Sequence, residues 1–120
     1  MQVDLMDNVS IIIRNRNESE YIGFAIQSCI DQFKNPEIII VDNNSTDESL
    51  EIVNLFIDRT DIKIVEITDY TPGKSINLGV QNASRDIILV LSAHSQITEV
   101  NLERVQEILI HHKAVMGQQN

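Results

Sequence analysis

One cysteine, Cys29, occurs in 120 residues, so an internal disulfide is excluded and a reducing compartment is the simpler expectation. Cys29 falls in an amphipathic stretch and reads as a core thiol rather than a reactive one. No apolar run approaches the length of a membrane span, and no signal-peptide pattern opens the chain. A cytoplasmic location is therefore expected, at the cytoplasmic face of a membrane if a longer protein is anchored there. Basic residues are scarce as well: nine Lys and Arg stand against eighteen Asp and Glu, a formal net charge of −9. That balance argues against a nucleic-acid partner, whose binders carry a basic face. It leaves a small anionic ligand open, because such binding depends on local charge. Repeats, linkers and low-complexity segments are also missing, and the length suits one domain with a sizeable core.

What is present is a rhythm of four apolar runs: Val9–Ile13, Glu37–Val41, Ile62–Ile67 and Asp86–Leu91. They are mostly β-branched, nearly continuous rather than alternating, and about 25 residues apart, as βαβ units require. Between them lie helical stripes. Tyr21, Ile22, Ala25, Ile26, Cys29 and Ile30 share one face; Leu50, Ile52, Val53 and Phe56 share another. A third helix is predicted from about Lys74 to Ala83 and a fourth from about Asn101 to His112, with "AVMG" as the start of a fifth strand. The order implies an α/β fold, a mostly parallel sheet with helices on both faces.

In such sheets ligands bind beyond the carboxyl ends of the strands. Those ends read "RNRNE" (Arg14–Glu18), "DNNSTD" (Asp42–Asp47), "TDYTPGKS" (Thr68–Ser75) and "SAHSQ" (Ser92–Gln96), all polar. Arg14, Arg16 and Lys74 gather there in an acidic protein, which suggests an anionic ligand such as a phosphate ester. Arg14, directly ending a buried strand, either meets an anion or turns to solvent. Asn17 with Glu20, and Ser45 with Glu48, have capping-box spacing. Asp42 can accept hydrogen bonds from a base or ribose, or from the amides of its own turn. Gly73-Lys74-Ser75 matches the end of a P-loop, but Thr68 stands where that pattern needs glycine. Pro72 suits a first helical position, leaving the following amides and Lys74 to face a phosphate. Gly79 inside a helix costs about 1 kcal/mol relative to Ala, so close packing or ligand approach is expected there. His94 is open to three readings: a satisfied loop histidine, a metal ligand, or a phosphate contact. His111 and His112 sit near a predicted helix C-terminus and have no site role.

Together these segments, from "VSIIIRNRNESEYI" through "EIIIVDNNSTDESLEIV" and "GKSINLGVQNASRD" to "IILVLSAHS", resemble the amino-terminal half of a family 2 glycosyltransferase with the Rossmann-like GT-A fold. The likeness covers about residues 8–96 and rests on the order of its motifs. It implies transfer of a sugar from a nucleotide-diphosphate sugar to a sugar or glycolipid acceptor hydroxyl, with inversion, in polysaccharide or glycoconjugate synthesis. By position, Asn15, Arg16 and Glu18 fall where the family's first loop lines the nucleotide pocket. Asp42 matches the base-contacting aspartate, with Asn43 and Asn44 beside it. Lys74 and Asn77 lie in the segment that helps hold the nucleotide and diphosphate.

Arg14 replaces the family's usual proline. Ser92-Ala93-His94 occupies its Asp-x-Asp, which brackets a divalent cation, manganese or magnesium, on the diphosphate. Here His94 is the candidate ligand and Ser92 a weak one; the alternative is that His94 and Lys74 stabilise the diphosphate without metal. The family's catalytic domain is longer, so the chain is expected to be its donor-binding half, inactive alone, with the general base beyond Asn120 and self-association through uncovered apolar surface. A non-catalytic nucleotide-sugar-binding or regulatory module is the alternative. A receiver domain would need acidic residues where Arg14 and Asn15 stand.

Overall fold

β-Branched residues fit an extended, doubly buried backbone, and each of the four apolar runs forms a strand. The structure, a computed structural model, describes residues 8–93 and, by backbone, 107–110. In chain order these form β1 (Val9–Asn15), α1 (Ile22–Gln32), β2 (Glu37–Asp42), α2 (Ser49–Asn54), β3 (Asp61–Glu66), α3 (Pro72–Asn82), β4 (Ile87–Ser92) and β5 (Glu107–Ile110). The sheet order is β3-β2-β1-β4-β5; β1 to β4 are mutually parallel where they pair, and β5 runs antiparallel to β4.

The strand at Glu107–Ile110 corrects the helix expected over Asn101–His112. A short run such as "EILI" carries no decisive period, and the open edge of β4 offers it a full ladder of backbone partners. The rest of that segment and the "AVMG" strand lie outside the described residues.

Two apolar layers cover the sheet. On one face α1 and α2 bring Ile22, Ala25, Ile26, Cys29 and Val53 against Ile11, Ile13, Ile38, Ile40, Leu89 and Leu91. On the other, Ile76, Leu78 and Val80 of α3 meet Ile12, Ile39, Val41, Ile88 and Val90. The chain steps outward from β1 to β3, then returns past β1 to β4, and this reversal puts α3 on the face opposite α1 and α2. Cys29 is fully buried, and desolvation, only partly offset by a hydrogen bond with Ser28, pushes its thiol up to about 12. It is an inert core group.

Glu37 opens β2 and is wholly buried at the amino edge of the sheet. Its carboxylate accepts from Ser10 Oγ (2.6 Å), the Ser84 amide (2.8 Å) and Ser84 Oγ (2.9 Å), and pairs with Lys63 Nζ at 3.0 Å. Burial alone would raise its pKa; these four donors outweigh it and hold the carboxyl at about 2. Its stabilisation is therefore complete above the ordinary value of 4.5 and is lost as pH falls toward 2. Between pH 5 and pH 2, Glu37 is expected to contribute up to about 3 kcal/mol of acid-dependent stability. Urea unfolding of wild type and Glu37→Gln across that range checks this, since parallel pH profiles would exclude Glu37 as the source.

Gly79 has a steric explanation. A Cβ there would sit 2.6 Å from Ile12 Cγ2 and 2.7 Å from its Cδ1, so the glycine lets α3 lie directly on β1. Gly79→Ala, despite its better helix propensity, is expected to destabilise by about 1–3 kcal/mol through overpacking. Adding Ile12→Ala should recover part of the loss, measured as a double-mutant cycle in denaturant.

Candidate functional site

β1 lies between β2 and β4, and the chain's reversal of direction makes the β1/β4 boundary the switch point where open α/β sheets bind ligands. A cavity of about 410 Å³ opens at that carboxyl edge. Arg14, Asn15, Arg16 and Glu18 line it from the end of β1 and its loop, Asn43 from the end of β2, Tyr70 from the β3–α3 loop, and Ser92 and Ala93 from the end of β4. The register explains the grouping: Arg14 lies opposite Ser92, and Asn15 opposite Asp42.

The first two loops are tied together by side chains. Asn17, at φ 52°, accepts the amides of Thr46 (2.7 Å) and Asp47 (3.2 Å) through Oδ1. In return Ser45 Oγ accepts the Asn17 amide, Ser49 Oγ the Glu18 amide and Asp47 Oδ2 the Ser19 amide, at 2.9–3.0 Å. Asp47 also accepts the amide and hydroxyl of Ser49. Although desolvation raises its pKa, the Ser49 and Ser19 donors hold the Asp47 carboxyl below its ordinary value.

These bonds correct both expected capping boxes. α1 starts at Ile22 and α2 at Ser49, and neither the Tyr21 nor the Glu48 cap makes a side-chain capping bond. Asn17 and Ser45 are instead used across the two loops, where they satisfy amides that no helix reaches. Pro72 does stand at the first position of α3 as expected, and Thr71, not singled out by the sequence, caps it, its Oγ1 accepting the Lys74 amide at 3.1 Å.

The expected site residues divide. Asn15, Arg16 and Glu18 line the cavity with half-buried Arg14 and Ser92. Asp42 is 2% exposed and is not a lining residue. Its Oδ1 accepts from Asn15 Nδ2 (2.9 Å) and Ser45 Oγ (2.7 Å), and its Oδ2 from the Ser45 amide (3.0 Å). Asn44 is exposed at φ 57°, a left-handed conformation that asparagine tolerates, and is also absent from the lining. Lys74 and Asn77 line a separate depression with Glu66, Asp69 and Gln81, where Lys74 Nζ pairs with Asp69 at 2.6 Å. His94 lies outside the described residues. Tyr70 is the lining residue the motifs did not single out; an aromatic alone in a polar strand-end loop was its signal.

The described donor set does not fit a divalent cation. At the end of β4 it offers the neutral Ser92 hydroxyl, and no group of three or more His, Cys, Asp or Glu comes together among the described residues.

Residues 10–120 match the family described as glycosyl transferase family 2. The chain belongs to that family. An uncharacterized glycosyltransferase of Haemophilus influenzae is 32% identical, covering 96% of this chain and 47% of the relative. The crystal structure of Staphylococcus aureus TarS residues 1–349 in complex with UDP superposes with a TM-score of 0.70 at 26% identity, over 77% of this chain and 29% of that one. The mannosyltransferase PcManGT of Pyrobaculum calidifontis, in complex with GDP-Man and Mn2+, gives a TM-score of 0.67 at 21% identity, over 74% of this chain and 28% of that one, a likeness of fold. The fold is thus, in part, the Rossmann-like GT-A fold of these glycosyltransferase structures. The chain spans less than half the length of the curated relatives it matches.

The loop clamp predicts a local effect. Asp47→Ala removes acceptors from two amides and a hydroxyl and should cost about 1–3 kcal/mol. Hydrogen exchange at the Ser19 and Ser49 amides should quicken while the β1 and β2 interior stays protected; unchanged exchange there would count against the clamp.

Proposed function

We propose that this chain binds the nucleoside diphosphate portion of a nucleotide sugar in the Arg14–Ser92 cavity, as the donor-binding part of a glycosyltransferase. The observation that carries this reading is charge: in a protein of net charge −9, Arg14 and Arg16 meet in one cavity at the switch point of a parallel sheet. Arg16 is exposed at the rim, suited to a diphosphate, and the Glu18 carboxylate can accept from ribose hydroxyls. Tyr70 offers a ring face beside them. Family membership supports the reading, as do the UDP and UDP-GlcNAc complexes of TarS.

In the reaction so proposed, an acceptor hydroxyl attacks the anomeric carbon. The new carbon–oxygen bond forms as the bond to the diphosphate breaks, the configuration inverts, and the hydroxyl proton passes to a general base outside the described residues. The nucleoside diphosphate leaves with the bonding pair, and cationic groups at the cavity stabilise its charge. Arg16, expected at the phosphates together with Lys74, is joined in the cavity by Arg14, while the Lys74 ammonium pairs with Asp69 in the other depression. A role for manganese or magnesium, with His94 and Ser92, stays a proposal, as do the acceptor, self-association and a cytoplasmic site.

Nucleotide sugars carrying UDP or GDP should raise the melting temperature of the chain. Arg16→Ala should weaken their binding at least tenfold, about 1.4 kcal/mol, by calorimetry. A screen in which no nucleotide sugar shifts the melting temperature would overturn the reading.

A further inference from the structure

Away from the donor cavity, the outer side of α1 and α2 leaves large apolar side chains in water. Leu55, just after α2, is 78% exposed, and Phe24 of α1 is 62% exposed. Scattered single residues of this kind are ordinary, but these two fall on one groove. It is shallow, about 380 Å³, and lies between the start of α1 and the outer side of α2, with Ile52 and Leu55 as its apolar floor. At Gly23 α1 comes close to α2, since a Cβ there would lie 3.3 Å from Ile52 Cγ2. Phe24 is the next residue. The Ile22 amide already bonds back to the Glu18 carbonyl, so helical spacing puts Phe24 one turn beyond Glu20, on the same side of α1. Glu20 lines the groove, and Phe24 thus extends the apolar strip along α1. The charges around this strip are of one sign. Glu20, Glu48 and Glu51 are exposed in the lining, and no lysine or arginine lines it among the described residues.

We infer that this groove docks a basic amphipathic helix of a partner protein. Its apolar side chains would rest on Phe24, Ile52 and Leu55, and its lysines or arginines would pair with Glu20, Glu48 and Glu51. A groove between two helices suits the helix-in-groove mode, in which apolar anchors one turn apart carry the affinity. The carboxylates at the rim choose the sign of the partner and speed its approach. Charge also selects among occupants. The three glutamates would repel an anionic membrane surface. A second copy lacks the complementary face, because none of the three described helices carries more than one lysine or arginine. The inference goes beyond the nucleotide-sugar reading and does not depend on it: no residue lines both the groove and the Arg14–Ser92 cavity.

The probe is a synthetic amphipathic helix of leucine and lysine, compared by calorimetry with a leucine–glutamate helix of the same pattern. The lysine helix should bind, less tightly as salt rises, and the glutamate helix at least tenfold more weakly. Backbone amide shifts on binding should concentrate in residues 19–24 and 48–55. Leu55→Ser, at an exposed position outside the core, should weaken binding at least tenfold. The triple variant Glu20→Gln, Glu48→Gln, Glu51→Gln should do the same and flatten the salt dependence. A second triple, Asp31→Asn, Asp61→Asn, Glu66→Gln, removes as much charge from exposed positions outside the groove and should bind like wild type. Equal weakening by both triples would reduce the effect to attraction by net charge and overturn the inference. Failure of the lysine helix to bind, or binding unchanged by Leu55→Ser, does so too. Self-association lost in Leu55→Ser would assign the groove to a second copy, and binding to phosphatidylglycerol vesicles would assign it to a membrane; either overturns the inference. All of these outcomes leave the donor-binding reading standing, because nucleotide binding is measured at the other site.

Discussion

The register of β1 against β2 is the constraint on which the rest depends. Ile11, Ile12 and Ile13 lie opposite Ile38, Ile39 and Ile40, and nothing apolar distinguishes this alignment from one slipped by two residues. Both strands are buried on both faces, so the alternation that pins register in a half-exposed sheet is missing. What breaks the degeneracy is polar and sits at the two ends. Ser10 meets Glu37 at the amino edge and Asn15 meets Asp42 at the carboxyl edge, each pair in direct register and each buried. A slip would separate both pairs and leave a buried carboxylate without its donors, which costs far more than any repacking of isoleucines.

That constraint reaches the cavity through covalent geometry. With Asn15 held against Asp42, the chain leaves β1 and β2 side by side, and their loops run close enough for each to cap the other's amides. The Asn43 amide bonding to the Asn15 carbonyl at 2.9 Å extends the pairing one residue past the strands. Beyond it, Asn17, Ser45 and Asp47 replace the missing ladder. The polar residues of "RNRNE" and "DNNSTD" are therefore spent in two ways. Some hold the loops to each other; Arg14, Arg16, Glu18 and Asn43 are left facing the cavity.

This division explains how far the sequence could be read. Strand positions and the parallel order were legible, because continuous β-branched runs and their spacing are local facts with one common solution, and a cavity does open at the carboxyl edge. The roles of Asn17 and Ser45 were not legible, whereas for Asp42 the amides of its own turn were one of two readings and its Oδ2 does accept the Ser45 amide. Asn17 with Glu20 and Ser45 with Glu48 present the same spacing whether the first residue caps its own helix or a neighbouring loop, and only the third dimension shows that Thr46 lies next to Asn17. The short run at Glu107–Ile110 failed for a related reason, since the open edge of β4, not its own pattern, decides its conformation. The place of Lys74 at the start of α3 was foreseen; its ammonium forms an exposed ion pair with Asp69 and lines a second depression.

The electrostatics of the cavity follow from the same economy of polar groups. Asp42 and Asp47 lie within the loop region that forms one wall, and their charge would oppose an anionic ligand if it faced the cavity. Instead their oxygens accept from amides, hydroxyls and the Asn15 carboxamide, which hold both carboxylates on the loop side. Arg14 and Arg16 then outnumber Glu18 among the charged residues that line the cavity, although the chain as a whole is acidic. A phosphate approaching the sheet edge meets Arg14 and Arg16 at short range, where Coulombic terms are largest, with the Glu18 carboxylate beside them. Asp42 and Asp47 thus act by holding the loops in place, and the net charge of the chain says little about the charge at this cavity.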